Sequence, residues 1–474
     1  MSIVHVMSQR SDTVAVIDIG KTNAKVVVLQ ASTGLELGCR RMSNTVVGEG
    51  PYPHFDTDTL WSFILDALKA FAGGAGFDAI SITTHGASAA LLDGDGELAM
   101  RVLDYEYRYP ETITLAYEAL RPAFEETFSP RLPGGLNLGA QLHYQKTAFP
   151  ALFARVATIV TYPQYWAFRL TGVAANEATS LGCHTDLWQP QQGCYSSLVE
   201  RLELGPYLAP LRSAFDALGD VTQSLAEQIG LSRPVPVYCG IHDSNASLLP
   251  HLLRREKPFT VVSTGTWIIG FAVGSTVAHL DPVRDTLANV DAHGQAVPSC
   301  RYMGGREFEI LIQGLTAPDE VEIERAAKQV ISGDVMRLPS VVEGSGPYPT
   351  RNGGWTVVPE GAAQLYAAAS LYTAMMTASS LSLIGATGPV LVEGPFAKNS
   401  LYLRALAACT GREVVVAEGG TPTGTAEGAA LLTGMTVPMT GEIHVGPDQL
   451  DLKTYFHDFQ DRCSIIFPAA STPT

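Results

Sequence analysis

Apolar positions along the chain fall into two kinds of segment: short Val/Ile-rich runs closed by small polar residues, and longer runs with helical spacing. Val14 to Leu29 (VAVIDIGKTNAKVVVL) divides into Val14 to Ile19 and Lys25 to Leu29 around the turn residues Gly20 to Asn23, the pattern of a β-hairpin. Phe259 to Ala272 (FTVVSTGTWIIGFA) repeats it, with Ser263-Thr264-Gly265-Thr266 in the place of Asp18-Ile19-Gly20-Lys21. The two copies lie about half a chain length apart. That spacing predicts a duplicated α/β domain whose two turns face one cleft and hold a polyphosphate from two sides.

Between the hairpins, Thr57 to Ala72 reads as a helix with Trp61, Ile64, Leu65 and Leu68 on one face, ended by Gly73-Gly74. Asp78 to Thr83 is a buried strand running into Thr84-His85-Gly86-Ala87, and Asp93 to Gly96 is a hairpin turn without the spaced ligands of a calcium loop. Ala140 to Gly172 is expected to be largely helical, with a helix start at Pro163, and Glu177 to Asp186 to be a polar loop. Pro236 to Gly240 is a short strand that delivers Ile241-His242-Asp243-Ser244-Asn245 before a helix over Ala246 to Leu253. Arg254 to Pro258 reads as a linker, which gives domains of 1–253 and 254–474.

In the second half, Tyr302 to Glu307 is a glycine turn opening a helix, and Val390 to Gly394 is a strand followed by Pro395, Asn399 and a helix. Thr421 to Leu432 is a loop entering a small-residue helix. Leu365 to Ile384 is about long enough to span a bilayer, but Ser370, Thr373, Thr377, Ser379, Ser380 and Ser382 interrupt it, so a buried Ala/Met-rich helix is expected.

Composition narrows the class. With 474 residues, of which 46% are apolar, the chain is too long for one ordinary core and suits two domains. A formal charge of −16, from 47 acidic against 31 basic residues, argues against nucleic-acid or anionic-membrane partners. An anionic substrate would then be held locally by backbone amides, helix N-termini or a metal. The seven scattered cysteines include no Cys-x-x-Cys and read as reduced thiols. The opening MSIVHVMSQRSDT lacks a secretion signal, so a cytoplasmic protein is expected. No Walker A sequence and no Gly-x-Gly-x-x-Gly is present, which counts against P-loop and Rossmann enzymes.

Several residues carry candidate chemistry. Asp18 is a carboxylate within an apolar strand and needs a cation, a metal or several donors, which either a ligand or the turn amides can supply. Gly20, Thr22 and Asn23 are of the kind that surrounds phosphate oxygens; Lys21 reads either as a phosphate clamp or as a solvated lysine at the turn tip. His85 stands at a strand end, where ligands bind in α/β sheets, or is a loop histidine bonded to backbone. Tyr162 and Gln164 offer a phenol and an amide to a sugar, or serve packing. Cys183-His184 has no second pair and reads as structural. Asp243, between a strand and a helix, reads as a base or as an N-cap.

Taken in order, the Asp18 hairpin, Thr84 to Ala87, His242-Asp243, Ser263 to Trp267, Gly304-Gly305, Glu393-Gly394 and Gly424 to Gly428 resemble the FGGY family of carbohydrate kinases over nearly the whole chain. The resemblance implies an α/β fold of two ribonuclease-H-like domains of the actin/hexokinase type flanking a central cleft. It implies ATP with Mg²⁺, and phosphoryl transfer to a sugar hydroxyl. Asp243 would be the base, Asp18 would hold Mg²⁺ through water, and Gly20 to Asn23, Gly265, Thr266, Gly305, Gly394 and Asn399 would serve the nucleotide. The sugar would meet His85, Gly86, Asp104, Tyr105, Gln164 and His242. Dimers are common among members. Lys21 stands where members often have threonine, and Glu393 and Pro395 depart from the adenosine segment. His242 to Ser247 with Gly265-Thr266-Trp267 is most similar to the L-rhamnulose and L-fuculose kinase branch, and His85-Gly86-Ala87 to the xylulose-kinase loop. A ketose is therefore expected as acceptor, a 6-deoxyketose first and a pentulose next. A nucleotide-driven actin- or chaperone-like binding protein is the alternative from another class.

Overall fold

The structure is a computed structural model that describes residues 12–350, 353–418, 424–436, 441–447 and 450–464. The expectations for the opening Met1 to Ser11 and for Thr421 to Thr423 lie outside the described residues. Two compact units form. One holds the chain through Arg254 together with Asn289–Ala296 and the helix Thr425–Leu431; the other holds Arg255–Ala288 and most of the later chain. The expected split into 1–253 and 254–474 is thus modified, because the second half of the chain returns two segments to the first unit.

The first unit is built on a sheet in which the hairpin Thr13–Ile19 with Asn23–Gln30 is antiparallel and Glu36–Ser43 extends it. On the other side of Thr13–Ile19, the strands Ala79–Thr84 and Pro236–Tyr238 run parallel to it. The second unit repeats this plan. Phe259–Thr264 and Ile268–Val273 form the hairpin, Ala296–Tyr302 extends it, and Val390–Glu393 and Val414–Ala417 follow in parallel. Three antiparallel strands followed by parallel ones, twice over, is the ribonuclease-H-like arrangement. Apolar faces explain it locally: every residue of Val14–Ile19 and of Ala79–Thr84 is buried, as expected for strands covered by helices on both faces.

Helix Thr57–Ala72 has the expected bounds, with Asp56 accepting from Thr59 N at its start. The long Ala/Met-rich segment is the buried helix Gly361–Leu383 of the second core. Four of its interrupting hydroxyls are satisfied within the helix, since Ser370, Thr373, Thr377 and Ser380 each donate to the carbonyl four residues earlier at 2.8–2.9 Å, while the buried Ser379 hydroxyl takes no partner. Among the described residues no helix is long and apolar enough to cross a membrane.

Two segments differ from expectation. Ala140 to Gly172 contains a strand, Thr158–Thr161, between helices Leu138–Ala148 and Tyr162–Thr171. Glu177 to Asp186 is not an open polar loop. It starts with a paired strand residue and the buried turn of helix Ala178–Leu181, capped by the Glu177 carboxylate on Thr179 N and Ser180 N.

Candidate active site

Three parallel strands of the first unit end together. Register aligns Ile19 with Thr84, and Thr84 with His242, so Asp18, His85 and Asp243 leave neighbouring strands at one edge of the sheet. Strand C-termini of α/β sheets are where ligands bind.

Asp243 opens helix Asp243–Arg254. Its Oδ1 accepts from Ser244 N at 2.6 Å and lies 3.1 Å from His242 Nε2; Oδ2 takes part in neither contact. Burial pushes the carboxyl up to about 6, the Asp18 charge adds to this, and His85 opposes it. The side chain nevertheless keeps 29% exposure, so a hydroxyl can reach it.

Both histidines are pushed down to about 4 by burial and are neutral at physiological pH. His85 Nδ1 donates to Gly86 O at 2.9 Å, which leaves Nε2 as a buried acceptor with no partner. An orphaned buried nitrogen of this kind is matched by a ligand hydroxyl. His242 Nδ1 faces the Asn245 amide at 3.5 Å, and its Nε2 lies 3.7 Å from Cys183 Sγ and 3.1 Å from Asp243 Oδ1. Gly86 permits this packing, because a Cβ there would lie 2.8 Å from His242 Nε2. Behind the pair, His242 N donates to Thr179 Oγ1 at 3.1 Å, and Thr179 Oγ1 donates to Glu177, a carboxyl raised to about 7 by burial.

Asp104, Tyr105 and Lys21 line the same place. The Tyr105 ring meets His85 at 5.4 Å, and Lys21 Nζ pairs with Asp104 and sits 4.5 Å from the Tyr105 ring centre. Lys21 is therefore neither a solvated turn-tip lysine nor directed away from the histidines.

Gln164 corrects the expectation of a sugar ligand. It is fully buried, donates to Cys239 O at 2.9 Å and Gly240 O at 3.1 Å, and accepts from Thr161, so its amide braces the bend before His242. Tyr162 is likewise buried, its ring tilted against His85 at 5.0 Å between centres.

Asp18 meets Lys25 at 3.1 Å and the Thr425 hydroxyl, both through Oδ2. Its cross-strand register with Lys25 was readable in the hairpin, whereas Thr425 was not tied to it by any sequence signal. At the turn, Gly20 N donates to Asn23 O at 2.8 Å, and Asn44 holds Gly20 O and Thr22 O, also at 2.8 Å. Thr22 and Asn23 are exposed, and the N–H groups of Lys21 and Thr22 take no part in these bonds. Other braces escaped sequence reading, among them Gln141, which donates to Ala87 O and Gly135 O.

Among the described residues no group of three or more His, Cys, Asp or Glu forms a metal cage. Magnesium in nucleotide sites is commonly held by one or two carboxylates together with water and phosphate oxygens. Asp18 fits such a role, because its Oδ1 is outside the Lys25 and Thr425 bonds and its repulsion with Asp243 is what a divalent cation relieves.

In the second unit, Gly265 N donates to Trp267 O at 2.9 Å and Thr266 is exposed at the second turn. Helix Gly304–Ile312 starts against this turn without a side-chain cap, and a Cβ on Gly305 would lie 1.9 Å from Gly265 O. Gly394, at φ +84°, passes Thr264 O as closely. Uncapped N–H groups beside a glycine turn suit a phosphate or ribose. Asn399 is a correction: its Oδ1 caps helix Ser400–Thr410 on Tyr402 N at 3.0 Å and its Nδ2 donates to Ser370 Oγ at 2.9 Å, so neither end is left for a nucleotide.

Comparison with known proteins gives the family. The N-terminal domain of the FGGY family of carbohydrate kinases matches residues 13–250, and the FGGY carbohydrate kinase C-terminal domain matches 256–441. The chain belongs to the FGGY family of carbohydrate kinases. A carbohydrate kinase from Novosphingobium aromaticivorans is similar to this FGGY chain at 37% identity and a TM-score of 0.89, covering 95% of this chain and all of that one. Rhamnulokinase of Halalkalibacterium halodurans is 24% identical over 267 residues, 53% of this chain and 54% of the relative. L-fuculokinase of Salmonella typhi is 23% identical over 274 residues, 55% and 56% respectively. The FGGY chain thus spans about half the length of the curated relatives it matches.

Proposed function

We propose that the protein transfers the γ-phosphoryl group of ATP to a hydroxyl of a ketose, with Asp243 as general base. The observation that carries this is the Asp243 carboxylate, held through Oδ1 by Ser244 and 3.1 Å from His242 Nε2, with Oδ2 left for an acceptor beside the unpartnered His85 Nε2. The acceptor hydroxyl gives its proton to Oδ2 as its oxygen bonds to phosphorus and the bond to the departing ADP oxygen breaks. His85 Nε2 accepts from a neighbouring hydroxyl, and the neutral His242 stands beside the base without drawing its proton. In the second unit, Gly265, Thr266, Gly305 and Gly394 are the nucleotide candidates. Asp18 would hold Mg²⁺ through water, which supplies charge neutralisation on the phosphate oxygens when bound.

A ketose is favoured because Asp104, His85 and Asp243 can bond several hydroxyls, and a three-carbon polyol would leave some unpaired at about 1–3 kcal/mol each. The Tyr105 ring offers an apolar face for the methyl group of a 6-deoxyketose. The relatives named rhamnulokinase and L-fuculokinase support L-rhamnulose or L-fuculose first, with a pentulose next. The test is coupled ADP release over a panel of ketoses, aldoses and polyols. A ketose should give the highest kcat/KM. Preference for glycerol or an aldose overturns the ketose assignment, and silence across the panel with polypeptide-stimulated hydrolysis favours a nucleotide-driven binding protein.

A further inference from the structure

Lys21 stands on the turn that ends the first strand, among small donors suited to phosphate, yet its ammonium points elsewhere. It pairs with Asp104, lies 3.5 Å from Glu106 Oε2, and sits over two ring faces, Tyr105 at 4.5 Å and Phe55 at 5.0 Å. Only 19% of the side chain is exposed, against 9% for Asp104. We propose that Lys21 is a positioning residue of the acceptor site, which fixes the Asp104 carboxylate and the Tyr105 ring from the phosphate turn, so that acceptor affinity depends on it and ATP affinity does not. The inference rests on the sugar-kinase reading and adds a determinant of acceptor binding to it.

Three observations carry the argument. Asp104 Oδ1 takes both the Lys21 ammonium and Glu106 N at 3.2 Å, so the carboxylate is oriented with Oδ2 outside these bonds. Tyr105 and Phe55, the two rings under the ammonium, are two of the rings packed on His85, at 5.4 and 4.8 Å, beside Tyr162. Lys21 is also close enough to His85 to help hold its imidazole neutral. Moving the ammonium to a phosphate would leave a nearly buried Asp104 without its cation and strip both ring faces of theirs.

The test compares wild type with Lys21→Met, Lys21→Arg, Asp104→Asn and the Lys21→Met/Asp104→Asn double variant, using the preferred acceptor from the panel. Lys21→Met should raise the acceptor KM tenfold or more while the ATP KM stays within twofold, and Lys21→Arg should restore acceptor KM to within threefold. The double variant should bind acceptor no worse than Asp104→Asn alone. A raised ATP KM with unchanged acceptor KM, unchanged constants throughout, or additive losses in the double variant each overturn the proposal. Where Lys21→Met does not fold, calorimetric acceptor binding without nucleotide by Lys21→Arg and Asp104→Asn decides. Wild type keeps the two readings apart: no acceptor-dependent ADP release removes the kinase reading and this one together, whereas release with constants indifferent to Lys21 removes this one alone.

Discussion

Burial moves the Asp243 carboxyl from its ordinary 3.8 to about 6, and moves His85 and His242 down to about 4, so the proposed base changes charge over a range where both imidazoles stay neutral. Acceptor-saturated turnover should therefore fall about tenfold per pH unit below 6 as a single-group limb. Asp243→Asn should lower kcat by about 10² to 10⁴ and remove that limb, measured as a pH–rate profile; a profile that keeps it assigns the limb to another group. Stability moves the other way. A carboxyl raised in the folded state disfavours folding increasingly as pH climbs from 3.8 to about 6 and fully above it, by at most about 3 kcal/mol. The 29% exposure reduces that figure. Asp243→Asn should melt at a higher temperature than wild type at pH 8, with the gap closing toward pH 4, by calorimetry. The position of this carboxylate was legible because a strand end before a helix start leaves few places for it. The directions of Lys21, Gln164 and Asn399 were not, since each could be claimed either by a ligand or by neighbouring main chain, and only the folded carbonyls and N–H groups decide between them.

At the scale of elements, the strands that carry the site were readable because their Val/Ile runs are bounded by glycine and small polar residues. Thr158–Thr161 was not, because a four-residue apolar run between helical segments has no period of its own; it becomes a strand by pairing with Ala89–Leu92. Glu177 to Asp186 looked like an open polar loop because the pairing of its Glu177 carboxyl with the Thr179 hydroxyl and N–H inside the fold is not revealed by composition. Asn399 gives the element-scale prediction. Asn399→Ala removes the cap of Ser400–Thr410 and should destabilise by about 1 kcal/mol in denaturant titration, with the ATP KM within twofold. A tenfold rise in that KM with unaltered stability would return Asn399 to the nucleotide site.

For the whole molecule, the doubled plan was legible from one repeated hairpin, but the return of Thr425–Leu431 to the first unit was not, because nothing local in a small-residue helix names its neighbour. That helix is integral there. Thr425 bonds Asp18, Ser81 Oγ donates to Ala429 O at 2.6 Å, and a Cβ on Gly428 would lie 1.7 Å from Ala246 O. A fragment of residues 13–254 should accordingly show fast amide exchange in the strands at 13–19 and 79–84 compared with the full chain, and protection equal to the full chain would refute this.

The same helix sets a timetable for the nascent chain. A ribosome that has just made Arg254 has released both strands that frame Asp18, yet the closing helix lies far downstream and emerges only after most of the second unit has been translated, at about 5–20 residues per second. Until then the backbone at Ala246 and the hydroxyl of Ser81 await their packing partner. Premature termination anywhere before Thr425 would thus release the first unit without its last helix, a species for chaperones and proteases to sort.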